Sequence, residues 1–368
     1  MLNKKSALYR TLSRALSMKR PHGTRAVDEF TDWLVHHLPA TVKSVFIDKA
    51  GNLHVEARTE AAHKTLFVAH VDTVHRECGP NKIRKTRGTW YADGACLGAD
   101  DGAGVAMLMH MLHKGVPGYY IFTQGEERGG IGAKYLADHQ TELLSEFDRA
   151  IAFDRRGIDS VITHQGYGRC CSDEFADHLS AALCADGVLM YLGDDTGVYT
   201  DTAEFVDYIP ECTNISVGYN AEHSDKETLD LHHFKALSEA VLKIKWDALP
   251  VERDPSYIEP VKPWQSVYGT TTWDGAWHDK FDAAAYEEDE LDRLSDAIFD
   301  AEKGMPHDLL EMIAEAAYPE DPDLALRFLN RRLLDDGVLA DLRKRAVDSG
   351  HDVQALLLEL FDALYCEA

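Results

Sequence analysis

Short apolar segments, each bounded by glycine or polar residues, recur through the first 250 residues of the chain. The four clearest are residues 65–69, 119–123, 149–153 and 214–218. Their length and composition are typical of strands buried in a parallel sheet. Segments with helical periodicity lie between them, notably residues 103–113, 133–139 and 173–184. This alternation predicts an α/β fold, a three-layer αβα domain with a largely parallel central sheet.

Two further elements precede the first buried strand. Residues 24–38 place Val27, Phe30 and Leu34 on one face, which predicts a helix. Residues 42–58 alternate apolar and polar positions around a turn, which predicts a β-hairpin.

The pattern changes near residue 250. Residues 251–280 contain several prolines and tryptophans without a clear period, which indicates a linker. Residues 281–368 show only helical spacing and predict a small all-helical domain. The sequence therefore predicts a larger α/β domain over residues 1–250, a linker over residues 251–280, and a helical C-terminal region over residues 281–368 that is a candidate for oligomerisation or for binding a protein partner.

Composition narrows the classes of function. The 368 residues include 63 acidic and 38 basic side chains, for a net charge of -25. A nucleic-acid-binding protein usually has a basic footprint, so nucleic acid and anionic membranes are excluded as expected partners. No apolar run reaches the roughly 20 residues of a membrane helix. The seven cysteines are odd in number and form no CxxC pair, which predicts free thiols and a cytoplasmic protein.

Imidazole and carboxylate side chains follow the predicted strands. In chain order they are His70, Asp72, Asp100, Glu126, Glu127, Asp154 and His223. The carboxyl ends of parallel strands meet at one edge of a sheet, where α/β proteins bind ligands. We therefore expect these side chains to form one site.

Zinc accepts imidazole nitrogen and carboxylate oxygen, and two zinc ions about 3.5–4 Å apart share a carboxylate. Asp100 is the predicted bridge between two zinc ions. His70 and Asp154 would complete one metal site, and Glu127 and His223 the other. Cobalt or manganese are alternatives that such donors also accept.

Two carboxylates are predicted to act without binding metal. Asp72 lies two residues after His70, so both side chains point to the same side of a strand, and Asp72 would fix the imidazole tautomer. Glu126 would take a proton from a metal-bridging water and return it to the leaving amine.

These motifs resemble those of the co-catalytic zinc exopeptidases, which include peptidase T, the carnosinase-like dipeptidases and the compact zinc aminopeptidases. The matching motifs are His70-Val71-Asp72-Thr73, Gly98-Ala99-Asp100-Asp101, Gly125-Glu126-Glu127, Asp154 and His223-Ser224. The resemblance covers roughly residues 24–245 and implies the roles given above. It also implies a cis peptide between Asp100 and Asp101, and a small peptide as substrate.

Two departures from this family narrow the expectation. Members with a dimerising lid insert a domain between the positions of Asp154 and His223, whereas only 68 residues separate them here. The resemblance therefore implies a catalytic domain without a lid. Asp154 is aspartate, which is commoner in aminopeptidases and dipeptidases than in carboxypeptidases or deacylases. We therefore expect a zinc exopeptidase that acts on peptides with a free amine.

Three further residues are hypothetical substrate contacts, namely His164, Tyr219 and Asp201, the last as a partner for a substrate amine. Two other functions stay open. One is an N-acyl amino acid amidase or a glutaminyl-cyclase-like enzyme on the same scaffold. The other is a non-catalytic binding or assembly protein that retains the fold.

Overall fold

The structure, a computed structural model, describes residues 3–165 and 168–256. The predicted helical region 281–368 and most of the predicted linker lie outside the described residues. The α-helices of the described part are α1 Ala7–Leu16, α2 Arg25–His36, α3 Ala99–His113, α4 Ile131–His139, α5 Thr141–Leu144, α6 Asp173–Leu183 and α7 Leu231–Ala240. Short 3₁₀ helices occur at Glu126–Arg128, Asp201–Phe205 and Trp246–Ala248.

The strands of the described part are short, and several have only two or three residues. They are β1 Met18–Lys19, β2 Ser44–Ile47, β3 Leu53–Glu56, β4 Thr65–His70, β5 Gly79–Pro80, β6 Ile83–Lys85, β7 Thr89–Ala92, β8 Tyr119–Thr123, β9 Arg149–Arg155, β10 Ser160–Ile162, β11 His164–Gln165, β12 Gly168–Arg169, β13 Leu192–Asp194, β14 Glu211–Ser216, β15 Tyr219–Asn220 and β16 Thr228–Asp230.

The central sheet of the described region has eight strands in the order β13-β10-β14-β9-β4-β8-β3-β2. Its four middle strands, β14, β9, β4 and β8, run parallel. The predicted hairpin is present as the antiparallel pair β2 and β3, which closes one end of the sheet. The largely parallel centre is therefore confirmed, and antiparallel pairings occur on either side of it.

Alternate residues of β4 pack into two different hydrophobic cores, one on each face of the sheet. Both faces are apolar and are covered by helices. Leu66 and Val68 pack in the core that includes Leu136 of α4. Phe67 and Ala69 point the other way, into the core lined by α1, α2, α3, α6 and α7. All four residues are buried, so β4 needs no polar face. The predicted αβα layering is confirmed.

A second sheet in the described region, β15-β16-β7-β6, is antiparallel throughout and lies outside the central sheet. His223 lies in the loop that connects strands β15 and β16 of this sheet. The helix α1, which packs on α3, buries Leu8, Leu12 and Leu16. None of the described helices is long and apolar enough to cross a membrane.

Segments between Asp154 and His223 continue the central sheet. Strands β10, β13 and β14 belong to it, and α6 packs against β10 and β13. The described cysteines are free thiols.

Candidate active site

The parallel strands deliver the first group of candidate ligands. His70 is the last residue of β4, and Asp154 lies near the end of the neighbouring β9. Asp100 comes from the start of α3. The imidazole Nε2 of His70 lies 3.0 Å from Asp100 Oδ1 and 3.7 Å from Asp154 Oδ1. The three side chains can therefore offer ligand atoms to one ion, since these atoms lie within 4.8 Å of one another.

A second group lies on the other side of Asp100. The Nε2 atom of His223 is 3.2 Å from Asp100 Oδ2 and 3.1 Å from Glu127 Oε2. Ligand atoms of Asp100, Glu127 and His223 again lie within 4.8 Å. One oxygen of Asp100 thus faces each imidazole, so this carboxylate belongs to both groups.

The donor chemistry fits zinc. Each group has one imidazole nitrogen and two carboxylates, and a catalytic zinc site keeps three protein ligands with one open position. The buried Oε1 of Glu127 has no hydrogen-bond partner among the described residues. Buried polar atoms normally have a partner, and a bound ion would supply one.

The carboxylate and imidazole side chains of the two ligand groups shift one another's pKa values. Burial raises the pKa of Asp100, but hydrogen bonds with His223 and His70 outweigh it and hold that pKa below its usual value. Hydrogen bonds with Asp100 and Glu127 raise the pKa of His223 to about 11. Burial lowers the pKa of His70, yet Asp154 and Asp100 outweigh it and the net shift is upward. The carboxylates around the two imidazoles thus favour the protonated form of each ring.

Hydrogen bonds hold Asp154 in place on both of its oxygens. Thr200 Oγ1 donates to Oδ2 at 2.7 Å, and Tyr219 donates its hydroxyl hydrogen to Oδ1 at 3.0 Å. Burial and the nearby Asp100 raise the pKa of Asp154 to about 6. Thr200 was not predicted as a site residue, and Tyr219 was predicted only as a substrate contact.

The carboxyl group of Glu126 interacts electrostatically with His70, Asp154 and Asp100, three of the candidate ligands. Burial raises its pKa well above the usual value, His70 opposes this shift, and Asp154 adds to it. A carboxyl group with a raised pKa is suited to accept and return a proton near neutral pH.

The carboxylate of Asp72 makes its hydrogen bonds with backbone rather than with His70. It accepts from the N–H groups of Gly125 at 2.8 Å, and of Glu126 and Glu127 at 3.3 Å. Its Oδ1 is 3.6 Å from His70 Nδ1, longer than a hydrogen bond. Asp72 thus fixes the loop that carries two other candidate residues.

The remaining predicted substrate contacts lie in different places. Asp201 is buried, accepts a hydrogen bond from Thr123 at the end of β8, and has its Oδ1 without a partner among the described residues. His164 lies on the separate sheet of β11 and β12, where its Nδ1 is 2.9 Å from Thr163 Oγ1. It is in neither ligand group.

The peptide between Asp100 and Asp101 is cis, as the resemblance implied. Asp101 is fully buried, and its carboxylate accepts hydrogen bonds from Gly104 N at 2.8 Å and His70 N at 3.3 Å. It joins the start of α3 to the end of β4.

The αβα fold and the two ligand groups that share one carboxylate are the features of enzymes that bind two metal ions. The profile of peptidase family M28 matches residues 52–301, and the chain belongs to that family. The predicted relationship to the zinc exopeptidases is thereby confirmed. No curated protein matches the chain.

Solved structures share the fold at low sequence identity. Aminopeptidase PepT from Bacillus cereus ATCC 10987 is 15% identical, with a TM-score of 0.56 over 67% of this chain and 99% of that one. A tripeptidase from Staphylococcus aureus subsp. aureus Mu50 is 17% identical, with a TM-score of 0.54 over 66% and 98%. The Pyrococcus horikoshii TET1 peptidase is 15% identical, with a TM-score of 0.50 over 64% and 98%. These likenesses establish the fold.

Proposed function

We propose that the chain is a zinc-dependent exopeptidase of the aminopeptidase or di- or tripeptidase type. The observation that carries the proposal is the pair of ligand groups that share Asp100, with the carboxyl group of Glu126 directly before Glu127 in the sequence. Membership of peptidase family M28 supports it, as does the fold shared with an aminopeptidase and a tripeptidase.

In this proposal His70 and Asp154 would hold one zinc ion, Glu127 and His223 would hold the other, and Asp100 belongs to both groups. Zinc bound there would supply positive charge that polarises a substrate carbonyl and stabilises the negative charge developing on its oxygen. Cobalt and manganese are alternative occupants, because they accept the same donors.

Glu126 is the proposed general base and then the general acid. It takes a proton from the attacking water as the water oxygen bonds to the carbonyl carbon. When the carbon–nitrogen bond breaks, Glu126 gives this proton to the departing amine. The net reaction adds one water to one peptide bond, and Glu126 ends in the protonation state in which it began.

Access to the site is from the side of His223. The His223 side chain is 50% exposed, whereas Asp100 is 11% and His70 is 1% exposed. A peptide therefore approaches past His223 with His70 at the floor. A substrate with a free amine is proposed because Asp154 has the residue type commoner in the aminopeptidases and dipeptidases that the motifs resemble.

A substrate panel tests this function. The full-length protein, loaded with zinc, is incubated with dipeptides, tripeptides and the N-acetylated forms of the same amino acids, and released amino acids are quantified. We expect hydrolysis of the free-amine peptides only. Cleavage restricted to the N-acetylated compounds would favour the amidase alternative, and no cleavage by protein that holds two zinc ions would favour the binding-protein alternative.

A further inference from the structure

A buried glutamate that belongs to neither ligand group, Glu227, forms hydrogen bonds with the backbone of residues 98–100, which includes Asp100. Glu227 lies four residues after His223, in the loop that precedes β16, and its side chain is fully buried. A buried carboxylate is costly unless hydrogen bonds replace the lost water. Burial raises the pKa of Glu227, and the donors around it act in the opposite direction.

Donors surround both oxygens of this carboxylate. Oε1 accepts from the backbone N–H of Ala99 at 2.7 Å and of Asp100 at 3.1 Å. Oε2 accepts from the N–H of Gly98 at 2.8 Å and from the thiol of Cys96. Three consecutive backbone N–H groups at the start of α3, which have no partners within the helix, are thus satisfied by one side chain.

We propose that Glu227 is a positioning residue that sets the geometry of both ligand groups by fixing the backbone of Asp100 relative to the loop of His223. This inference rests on the proposed two-metal function. Glu227 and His223 share one loop, and Asp100 lies at the start of α3, so the Glu227 hydrogen bonds are a direct tether between that loop and the helix.

The position of Asp100 affects both ligand groups, because its carboxylate belongs to each of them. Asp100 presents Oδ1 to His70 at 3.0 Å and Oδ2 to His223 at 3.2 Å. A shift of its backbone would therefore alter both groups at once. His223 reaches Oδ2 of Asp100 from the same loop as Glu227, so the Glu227 hydrogen bonds hold the backbones of the two residues at a fixed separation.

The test variant is Glu227→Gln, which keeps the size of the side chain. An amide has one acceptor oxygen, and its NH₂ group would face backbone N–H donors instead of accepting from them. The matched control is Glu211→Gln. Glu211 is equally buried and accepts from Ser172 N, Ser172 Oγ, Glu252 N and Arg253 N, but it lies at the opposite end of β14 from the ligand groups.

Zinc affinity is measured by calorimetry with a competing chelator, and thermal unfolding of the metal-free proteins is recorded alongside. We expect both variants to unfold at lower temperature than the wild type. Only Glu227→Gln should bind both zinc ions more weakly, by about 10- to 100-fold, as is typical when a partner of the ligands is lost. Glu211→Gln should keep wild-type affinity.

Wild-type zinc affinity in a folded Glu227→Gln variant would overturn the inference while leaving the proposed function intact. If that variant does not fold, Glu227→Asp keeps the charge and both acceptor oxygens but shortens the side chain, so it cannot reach all three backbone N–H groups and should also weaken zinc binding; unchanged affinity there would overturn the inference. A wild-type protein that binds no zinc would contradict the proposed function itself.

Discussion

Asp72 accepts a hydrogen bond of 2.8 Å from the backbone N–H of Gly125. This contact joins the end of β4, which carries His70, to the loop that carries Glu126 and Glu127. One carboxylate therefore connects a residue of the first ligand group with a residue of the second. His70 ends β4 and Glu127 follows β8, so the hydrogen bond between Asp72 and Gly125 links the ends of two neighbouring strands.

Replacing Asp72 by asparagine should disturb this connection. The amide has one acceptor oxygen in place of two, so the N–H groups of Gly125, Glu126 and Glu127 cannot all be satisfied. We expect kcat/KM for a dipeptide to fall by about 10- to 100-fold. Steady-state kinetics at saturating zinc measures the change.

The control for this variant is Asp247→Asn. Asp247 accepts from Lys64 N at 2.7 Å and Thr65 Oγ1 at 2.9 Å, at the opposite end of β4. Both donors share Oδ1, an acceptor that asparagine keeps, so this variant should change the unfolding temperature little and leave kcat/KM close to the wild-type value. Equal losses of kcat/KM in both variants would mean that Asp72 acts only on the stability of the fold.

Glu126→Gln should remove turnover and keep metal. The amide cannot accept a proton from water, and general acid–base catalysis is worth roughly 10²- to 10⁴-fold. We expect kcat to fall by that factor while the zinc content stays at the wild-type level. The exposed Glu142 on α5 supplies the control variant Glu142→Gln, which should turn over normally. Wild-type kcat in Glu126→Gln would rule out the assigned role.

Thr200→Val should make zinc binding more sensitive to acid. The hydrogen bond from Thr200 favours the ionised form of Asp154, whose pKa burial and Asp100 already raise to about 6. Without this bond the pKa rises further, so more of the carboxyl is protonated at pH 6 and unable to bind metal. We expect a larger loss of zinc affinity at pH 6 than at pH 8.

The control for Thr200→Val is Thr213→Val, which removes a buried hydrogen bond of 2.7 Å to Ile162 O. Calorimetric titrations at both pH values should show no pH-dependent loss in this variant. An equal loss at pH 6 and pH 8 in Thr200→Val would contradict the proposed effect on the pKa of Asp154.

Zinc binding should release protons. The pKa of His223 is raised to about 11 in the metal-free protein, so this imidazole is protonated at neutral pH, and despite burial the neighbouring carboxylates also raise the pKa of His70. A protonated imidazole must lose its proton to bind metal, and zinc affinity therefore rises with pH. The pairing of His223 stabilises the metal-free fold fully below its unfolded pKa of about 6.5 and is lost as pH rises towards 11.

Titrations in two buffers of different ionisation enthalpy measure this release. We expect proton release at pH 7 in the wild type, and about one proton fewer per chain in His223→Ala. Identical binding enthalpies in the two buffers would show that the imidazoles are neutral before zinc arrives.

The parts of the fold that could be predicted are those with a strong local pattern. Strand β8 has the predicted bounds because its apolar run ends at a glycine on one side and at polar residues on the other. The strands β6, β7, β15 and β16 of the second sheet were missed, since two to four residues of mixed polarity do not differ from a loop.

The residues grouped around the candidate site could be predicted because each lies beside an element with a clear pattern or a short loop away from one. Their hydrogen-bond partners could not. The donors to Glu227 lie 127 to 131 residues away in sequence, and Thr200 lies 46 residues from Asp154. No periodicity encodes such contacts, since they arise only when the sheet brings distant loops together.

The most direct test is the zinc content of the full-length protein, measured by elemental analysis after incubation with zinc and removal of the excess. Wild-type protein should hold about two zinc ions per chain. Asp100→Ala should lose both, because this carboxylate faces both imidazoles, whereas Glu127→Ala should lose the one on its own side. A wild-type protein that stays free of metal would contradict the two-metal site and the hydrolase built on it.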